Sequence, residues 1–142
     1  LEVTQDKVVM RRFMKELVSD KGLAAYGEAE VRRNLELGAV EVLLLSEDLR
    51  KTRAKIECTN RSCDFSQEQT RTSASEPPGS CLKCGSALAV AEEEDIVSNL
   101  SKLADKSSAA VKIISTEFEE GAQLFKAFGG IAAILRYKTS HI

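Results

Sequence analysis

The residues with the clearest chemistry in this chain are four cysteines. They form two pairs, Cys58-x4-Cys63 and Cys81-x2-Cys84, with seventeen residues between the pairs. Two such pairs can present four thiolates to one tetrahedral ion, and Zn²⁺ is the metal that such sites usually hold. Gly85 follows the last cysteine and permits the tight turn of a zinc knuckle. The spacing therefore predicts a zinc site built from Cys58, Cys63, Cys81 and Cys84.

Two other states of these cysteines stay open at this point, namely two disulfides or four free thiols. The four-residue gap in the first pair is also wider than the usual two. The N-terminal stretch lacks the pattern of a secretory signal, which predicts a cytoplasmic chain and favours a metal over disulfides. Four thiolates fill the coordination shell of zinc, so the predicted metal is structural rather than catalytic.

Composition excludes several classes of protein. The chain has 142 residues, of which 43% are apolar, and its 20 basic and 22 acidic residues give a net charge of −2. Such a chain can form a globular core, and no apolar run approaches the roughly 20 residues of a membrane helix. The balanced charge excludes a chain-wide electrostatic attraction for nucleic acid.

Catalytic constellations are missing from the sequence. His141 is the only histidine, and its place as the last residue but one predicts a solvated tail residue. Ser19, Ser46 and Ser140 therefore lack a histidine partner for a hydrolytic triad. No glycine-rich phosphate loop is present either. The sequence predicts a binding or scaffold domain rather than an enzyme.

The charged and aromatic clusters of the sequence are explained by solvation, helix formation or core packing. The basic groups at 11–12, 32–33 and 51–55 could contact RNA phosphates, although dispersed basic pairs usually only solvate a surface. The acidic run 92–95 is predicted to be a charged helix start instead of a metal site. Four phenylalanines have core spacing and are predicted to be buried, namely Phe13, Phe118, Phe125 and Phe128.

Periodicity predicts the elements that carry these residues. Helical spacing indicates helices over 3–20, over 27–38, from Glu92 onward and after a capping box formed by Thr116 and Glu119. Short apolar runs indicate strands at 40–45, 111–114 and 131–137. Strands that alternate with helices predict an α/β fold in which helices cover a small mixed sheet.

Residues 53–89 interrupt this alternation of strands and helices. They have no helical period, contain strand-like pieces near 55–57 and 87–90, and include a polar stretch at 67–80 that is predicted to be a loop. We therefore divide the chain into an α/β core of residues 1–52 and 90–142 and an inserted zinc-binding minidomain of residues 53–89.

Two segments carry a resemblance to a known family. The run 22–46, with Tyr26-Gly27 and Gly38-Ala39-Val40, resembles the start of the C-terminal domain of class I peptide chain release factors of the archaeal and eukaryotic type. The run 117–137, with Phe118, Gly121 and the segment from Phe128 to Tyr137, is similar to its closing part. The cysteine insert is similar to the minidomain of the archaeal members.

The resemblance implies a fold and a role. The fold is an α/β sandwich like that of the ribosomal proteins that bind kinked RNA, with a zinc-ribbon-like insert. The role is to recruit the translational GTPase and, after termination, the recycling ATPase on the ribosome, with possible rRNA contacts. The family's Gly-Gly-Gln tripeptide and stop-codon loop are absent, which predicts that this chain is the C-terminal part of a longer factor.

Three hypotheses remain. The first is a protein-recruitment domain of such a release factor, or of the ribosome-rescue paralogue pelota, which usually lacks the zinc insert. The second is an RNA-binding module of the kink-turn type. The third is a metal hydrolase, which a closed four-thiolate site disfavours.

Overall fold

A computed structural model of the chain describes the backbone of residues 2–140 and the side chains of residues 4–140; His141 lies outside the described residues. It contains four helices, which are α1 (Glu2–Val18), α2 (Glu28–Glu36), α3 (Ile96–Lys106) and α4 (Glu119–Phe128). Its strands are β1 (Ala24–Tyr26), β2 (Val40–Ser46), β3 (Thr52–Cys58), β4 (Ser66–Arg71), β5 (Leu88–Asp95), β6 (Ala110–Ile114) and β7 (Ile131–Leu135). The chain divides into two compact units, residues 1–49 with 100–142 and residues 50–99.

The first unit is built on a four-stranded mixed sheet in the order β1-β7-β2-β6. Strand β2 is parallel to β6 and antiparallel to β7, and β1 pairs with β7. The predicted mixed α/β sheet is therefore confirmed. Strand β1 was not predicted, because three residues are too few to show a period.

Both faces of the central strand β2 are buried. On one face, Val42 and Leu44 of β2 belong to a core cluster with residues of α1 and α4, including Met10, Phe13 and Leu124. Leu43 and Leu45 point to the opposite face, because side chains alternate along a strand, and they are equally inaccessible to solvent. A strand with two covered faces reads as a continuous apolar run, which is what identified β2 in the sequence.

The second unit is a three-stranded antiparallel sheet in the order β4-β3-β5. Strand β4 corrects the sequence prediction, which assigned residues 67–80 to a loop. It pairs with β3 from Thr52↔Arg71 to Glu57↔Ser66. All six of its residues are polar and half of them are exposed, so β4 carries no hydrophobic signal.

The acidic run 92–95 is a second correction. It was predicted to form the first turn of a helix, but it is the end of β5, with Glu94 opposite Arg53 and Asp95 opposite Thr52. Helix α3 starts only at Ile96. The Asp95 carboxylate accepts hydrogen bonds from the amides of Val97 and Ser98 at 3.0 and 3.2 Å, so one acidic residue caps the helix.

The second unit is also longer than the insert that was predicted from the sequence. The sequence placed the insert at residues 53–89, whereas the compact unit covers residues 50–99. The difference arises because β5 stays paired with β3 as far as Asp95.

The predicted capping box of Thr116 and Glu119 is wrong. The residue that precedes α4 is Phe118, in an extended conformation and without a side-chain cap. The amide and hydroxyl of Thr116 instead donate to the Glu47 carboxylate at 2.8 and 3.2 Å. A contact distant in sequence therefore replaces the local one that the spacing indicated.

Gly121 determines how closely α4 can pack. A Cβ atom at this position would lie 1.9 Å from the Ser115 carbonyl oxygen and 3.0 Å from the Phe118 ring. The first of these neighbours is backbone, which cannot move aside as a flexible side chain can. The helix therefore requires a residue without a side chain here.

We predict that Gly121→Ala destabilises the first unit by at least about 3 kcal/mol, although alanine normally favours a helix by about 1 kcal/mol over glycine. Gly129→Ala is the matched control. Gly129 ends α4 with φ 69° and would meet nothing within 4 Å, so only the left-handed backbone costs energy there, about 1–2 kcal/mol. Urea unfolding followed by circular dichroism measures both, and equal losses would contradict this explanation.

Candidate metal centre

One strand and one hairpin bring the four cysteines together. Cys58 is the last residue of β3, and Cys63 follows after a short turn. Cys81 and Cys84 lie in a hairpin that leads into β5, closed by the Ser80↔Ala87 bridge and by a 2.8 Å hydrogen bond from the Leu88 amide to the Gly79 carbonyl. Because β3 pairs with β5, with Cys58 opposite Leu88, the two cysteine pairs meet at one end of the sheet.

The second pair has the geometry of a zinc knuckle. The Gly85 amide donates to the Cys81 carbonyl at 2.8 Å, and Gly85 adopts a φ of 80°, which glycine tolerates best. The Lys83 amide points at the Cys81 Sγ at 3.4 Å. An amide aimed at a sulfur stabilises its thiolate form, which is the form that binds metal.

The wider first pair is closed by Asn60. The Asn60 Oδ1 accepts a hydrogen bond from the Ser62 amide at 3.0 Å, and its backbone carbonyl accepts one from the Cys63 amide at 2.9 Å. The two additional residues, Arg61 and Ser62, are exposed on the outside of this turn. The four-residue spacing therefore still directs both sulfurs to the same point.

The distances between the sulfurs match a tetrahedral ion. All four Sγ atoms lie within 4.8 Å of one another, with Cys58 and Cys84 at 3.4 Å and Cys63 and Cys81 at 3.8 Å. Zn–S bonds of about 2.3 Å place tetrahedral sulfurs about 3.8 Å apart. The cysteines are not joined as disulfides. Four thiols with this spacing can bind one metal ion.

The thiols perturb each other strongly in the absence of a cation. An amide hydrogen bond from Asn60 lowers the pKa of Cys58, but desolvation and the three neighbouring thiols outweigh it and raise the pKa to about 12. Hydrogen bonds from the hydroxyl and amide of Ser86, together with the Cys58 thiol, lower the pKa of Cys84 to about 6. A divalent cation at this point would lower the pKa of each thiol, because its positive charge stabilises the thiolate forms.

A second surface feature was not expected from the sequence. Phe125 was predicted to be buried but is 40% exposed, and Tyr26 is 51% exposed. Phe128 joins Tyr26 to the core, since its ring contacts Tyr26 at a centroid distance of 5.1 Å and Phe13 at 5.6 Å. Phe128 also follows Phe125 by one turn of α4. We call Tyr26, Phe125 and Phe128 the aromatic face. Helical spacing cannot show how far the covered stripe of a helix extends, so the exposure of Phe125 depended on the fold.

The basic pairs considered for RNA contact are largely neutralised by acidic partners. Arg12 makes a two-pronged contact with Glu41, with both nitrogen–oxygen distances at 2.7 Å. Arg32 pairs with Glu28 at 3.2 Å, and Arg33 pairs with Glu30 at 2.7 Å. Arg11 lies 3.8 Å from Glu120. These contacts weaken the case for a phosphate-binding surface on the first unit.

Comparison with known proteins now adds to the geometry. The family model described as eRF1 domain 3 matches residues 3–139. Peptide chain release factor subunit 1 of Methanococcoides burtonii is 50% identical over 143 residues, covering 98% of this chain. The solved C-terminal domain of the Methanosarcina mazei release factor is 51% identical, with a TM-score of 0.88, and the match covers 97% of this chain and 85% of that one.

The chain belongs to the eRF1 domain 3 family. It spans 34% of the length of the Methanococcoides release factor. A structure of ribosome-bound archaeal Pelota with ABCE1 shares the fold of this family member at 24% identity and a TM-score of 0.58, over 98% of this chain and 28% of that one. Among residues 2–140, none of the helices is long and apolar enough to cross a membrane.

The Arg12–Glu41 pair gives this family member a measurable pH dependence. The hydrogen bond from Arg12 and the charge of its guanidinium lower the pKa of Glu41. A carboxylate whose pKa is lower in the folded state stabilises the fold above its unfolded pKa, and this contribution is lost as the pH falls through the folded pKa.

We therefore expect Glu41→Gln to reduce the free energy of unfolding by no more than about 1 kcal/mol at pH 7, since both partners are partly exposed. The difference from the parent should disappear in acid, when Glu41 is protonated. Urea titrations at several pH values measure it, and Glu36→Gln, an exposed site on the neighbouring helix, is the control. A difference that grows in acid would contradict the role given to this pair.

Proposed function

We propose that this chain is the partner-recruitment domain of a release factor that recognises stop codons and triggers peptidyl-tRNA hydrolysis through its other domains. The observation that carries the proposal is the 50% identity to a peptide chain release factor across 98% of the chain. The chain corresponds to about a third of that factor, so the codon-reading and Gly-Gly-Gln functions are assigned to the remaining two-thirds. The place of action is the ribosome in the cytoplasm.

On this proposal the domain binds and does not catalyse. Four cysteines around one ion would leave no position for water or substrate, and Ser46 is buried within the core of its unit. The partners proposed are a translational GTPase, the ribosome and a recycling ATPase. The shared fold with a ribosome-bound Pelota assembly that contains ABCE1 supports an ATPase of that type.

The aromatic face is the surface that we assign to the GTPase. Exposed aromatic rings that are supported by a core contact are typical of residues that dominate protein–protein binding. Phe125 lies on α4 and Tyr26 on β1, and the Phe128 ring, one turn along α4 from Phe125, contacts both Tyr26 and Phe13. The salt bridge between Arg11 and Glu120 adds charged groups on α1 and α4, the two helices that carry Phe13 and Phe125.

Phe125→Ala should weaken binding of the GTPase about thirtyfold or more, the loss typical of an aromatic anchor. It should lower the unfolding midpoint modestly, because the covered part of this side chain, which is 40% exposed, is lost. Leu82→Ala, at an apolar side chain that is 94% exposed in the second unit, is the matched control and should bind normally. Calorimetric titration with the GTPase measures both. Equal effects of the two variants would remove the aromatic face from the interface.

We also propose that Cys58, Cys63, Cys81 and Cys84 hold one structural Zn²⁺ and that the unit around them is a zinc-ribbon-like minidomain. The support is the set of four sulfurs within 4.8 Å. The sheet of this unit has few buried apolar side chains, chiefly Ala54 and Ile56. A unit with so small a core generally needs a metal or disulfides to fold.

Cys81→Ser should release the metal and unfold the second unit while the first unit keeps its cooperative unfolding transition. Cys81 is buried, so no exposed group nearby can take the place of its thiolate as a ligand. Elemental analysis should find one zinc per parent chain and much less in the variant. Ser80→Ala, next to the site, is the control. Loss of all secondary structure would show that the two units do not fold separately, and iron in place of zinc would correct the metal.

The second candidate function is an RNA-binding module, as expected if the sandwich resembles the kink-turn-binding ribosomal proteins in function as well. The paired arginines argue against it. RNA binding that is strong and falls steeply with salt, without GTPase binding, would favour this alternative over the first.

A further inference from the structure

The four thiols of the metal centre are not equivalent in their access to solvent. Cys84 is exposed, Cys58 and Cys63 are half-buried, and Cys81 is only 4% exposed. The exposed sulfur also has a close neighbour, since the Sγ atoms of Cys84 and Cys58 are 3.4 Å apart, whereas those of Cys63 and Cys81 are 3.8 Å apart. The accessible Cys84 thiol thus lies beside the less accessible Cys58 thiol, which is at the end of β3.

We propose that Cys84 is a site of reversible oxidation by hydroperoxides, with Cys58 as the thiol that closes a disulfide and so opens the metal centre. This inference rests on the proposed zinc site and adds a form of regulation to it. It assigns different roles to the four cysteines, which the ligand set alone treats as equivalent.

The chemistry balances with hydrogen peroxide as the oxidant. The Cys84 thiolate attacks the O–O bond, takes one oxygen to become a sulfenic acid, and releases hydroxide. The Cys58 thiolate then attacks the Cys84 sulfur, forms the S–S bond and expels the second hydroxide. Two electrons pass from the two sulfurs to the peroxide, and two protons from solvent convert the hydroxides to water.

Geometry favours Cys58 as the resolving thiol. Its sulfur lies 3.4 Å from the Cys84 sulfur, which is the shorter of the two measured separations. This distance must shorten to a bond length of about 2.0 Å. The buried Cys81 has the Lys83 amide directed at its sulfur, and peroxide in solvent reaches it least. The Cys63 sulfur lies 3.8 Å from the Cys81 sulfur.

Oxidation of this pair would remove two of four ligands from the ion. Cys58 ends β3, and Cys84 lies in the hairpin that leads to β5, so the new bond would keep these segments joined. The turn that carries Cys63 and the buried Cys81 would lose the metal that connects them. We expect release of zinc and partial loosening of the second unit, both reversed by a thiol reductant and added zinc.

The sequence allows an unambiguous test. Cleavage after lysine and arginine separates the four cysteines into different peptides, namely 56–61, 62–71, 72–83 and 84–102. The zinc-loaded chain is treated briefly with hydrogen peroxide, remaining thiols are alkylated, and disulfide-linked peptides are identified by mass spectrometry. Released zinc is followed in parallel with a chromogenic chelator. The expected product joins 56–61 to 84–102, with one zinc released per chain.

A histidine variant separates oxidation from metal binding. Cys84→His keeps a zinc ligand at the exposed position but removes the reactive sulfur, so zinc release by peroxide should slow by about tenfold or more. Ser80→Ala, at an exposed residue beside the site that is not a ligand, is the control and should remain as sensitive as the parent. If Cys84→His does not retain zinc, the peptide map of the parent still decides the question.

The outcomes distinguish the two proposals. A parent chain that binds no metal under reducing conditions would overturn the zinc site and this inference with it. A zinc-loaded parent that resists peroxide while free cysteine is oxidised, or that chiefly joins 62–71 to 72–83, would overturn only the oxidation site.

Discussion

The pairing of β2 with β6 on one side and β7 on the other is the constraint on which the first unit depends. Every residue of β2 except Glu41 is buried, and the strand contributes side chains to both faces of the sheet. The elements that carry the aromatic face are positioned by this arrangement. Strand β1 reaches the sheet only through β7, and α4 packs on β2 and β7. The required glycine at position 121 shows how little space the packing of α4 leaves.

The second unit depends on a different interaction. Its sheet buries few apolar side chains, and the cysteines at one end are held in position mainly by backbone hydrogen bonds of the turn and the hairpin. These bonds direct four sulfurs toward one point but cannot remove the repulsion between four thiolates. On the proposed zinc site a cation removes this repulsion, so the stability of this unit would be coupled to the state of its cysteines. The first unit has a large apolar core and contains none of the cysteines.

An apolar core in one unit and a cysteine cluster in the other agree with a domain that works by binding. The aromatic face belongs to the unit that is stabilised by its own core, so its shape does not depend on a metal. The four cysteines belong to the unit whose core is small. On the proposed zinc site, a change at the cysteines would act first on this second unit.

The sequence by itself determined the features that depend on residue type and local spacing. The apolar run of β2, the helices before and after it, the glycine at the end of α4 and the grouping of Cys58, Cys63, Cys81 and Cys84 were all readable, because burial and metal binding impose strict patterns on neighbouring residues. The family was identified for the same reason, from the segments around Tyr26-Gly27 and Phe128-Gly129-Gly130.

Tertiary structure alone decided the features that depend on pairing between distant segments. The acidic residues 92–94 suit a helix start locally, but their pairing with β3 outweighs that preference and leaves Asp95 to cap α3. Thr116 bonds to Glu47 instead of capping α4, and Arg12 is held by Glu41 instead of facing solvent alone. The exposure of Phe125 and the short distance between Cys84 and Cys58 belong to the same class. Local spacing specifies which groups are available, whereas the contacts that they make depend on which distant strand or helix lies beside them.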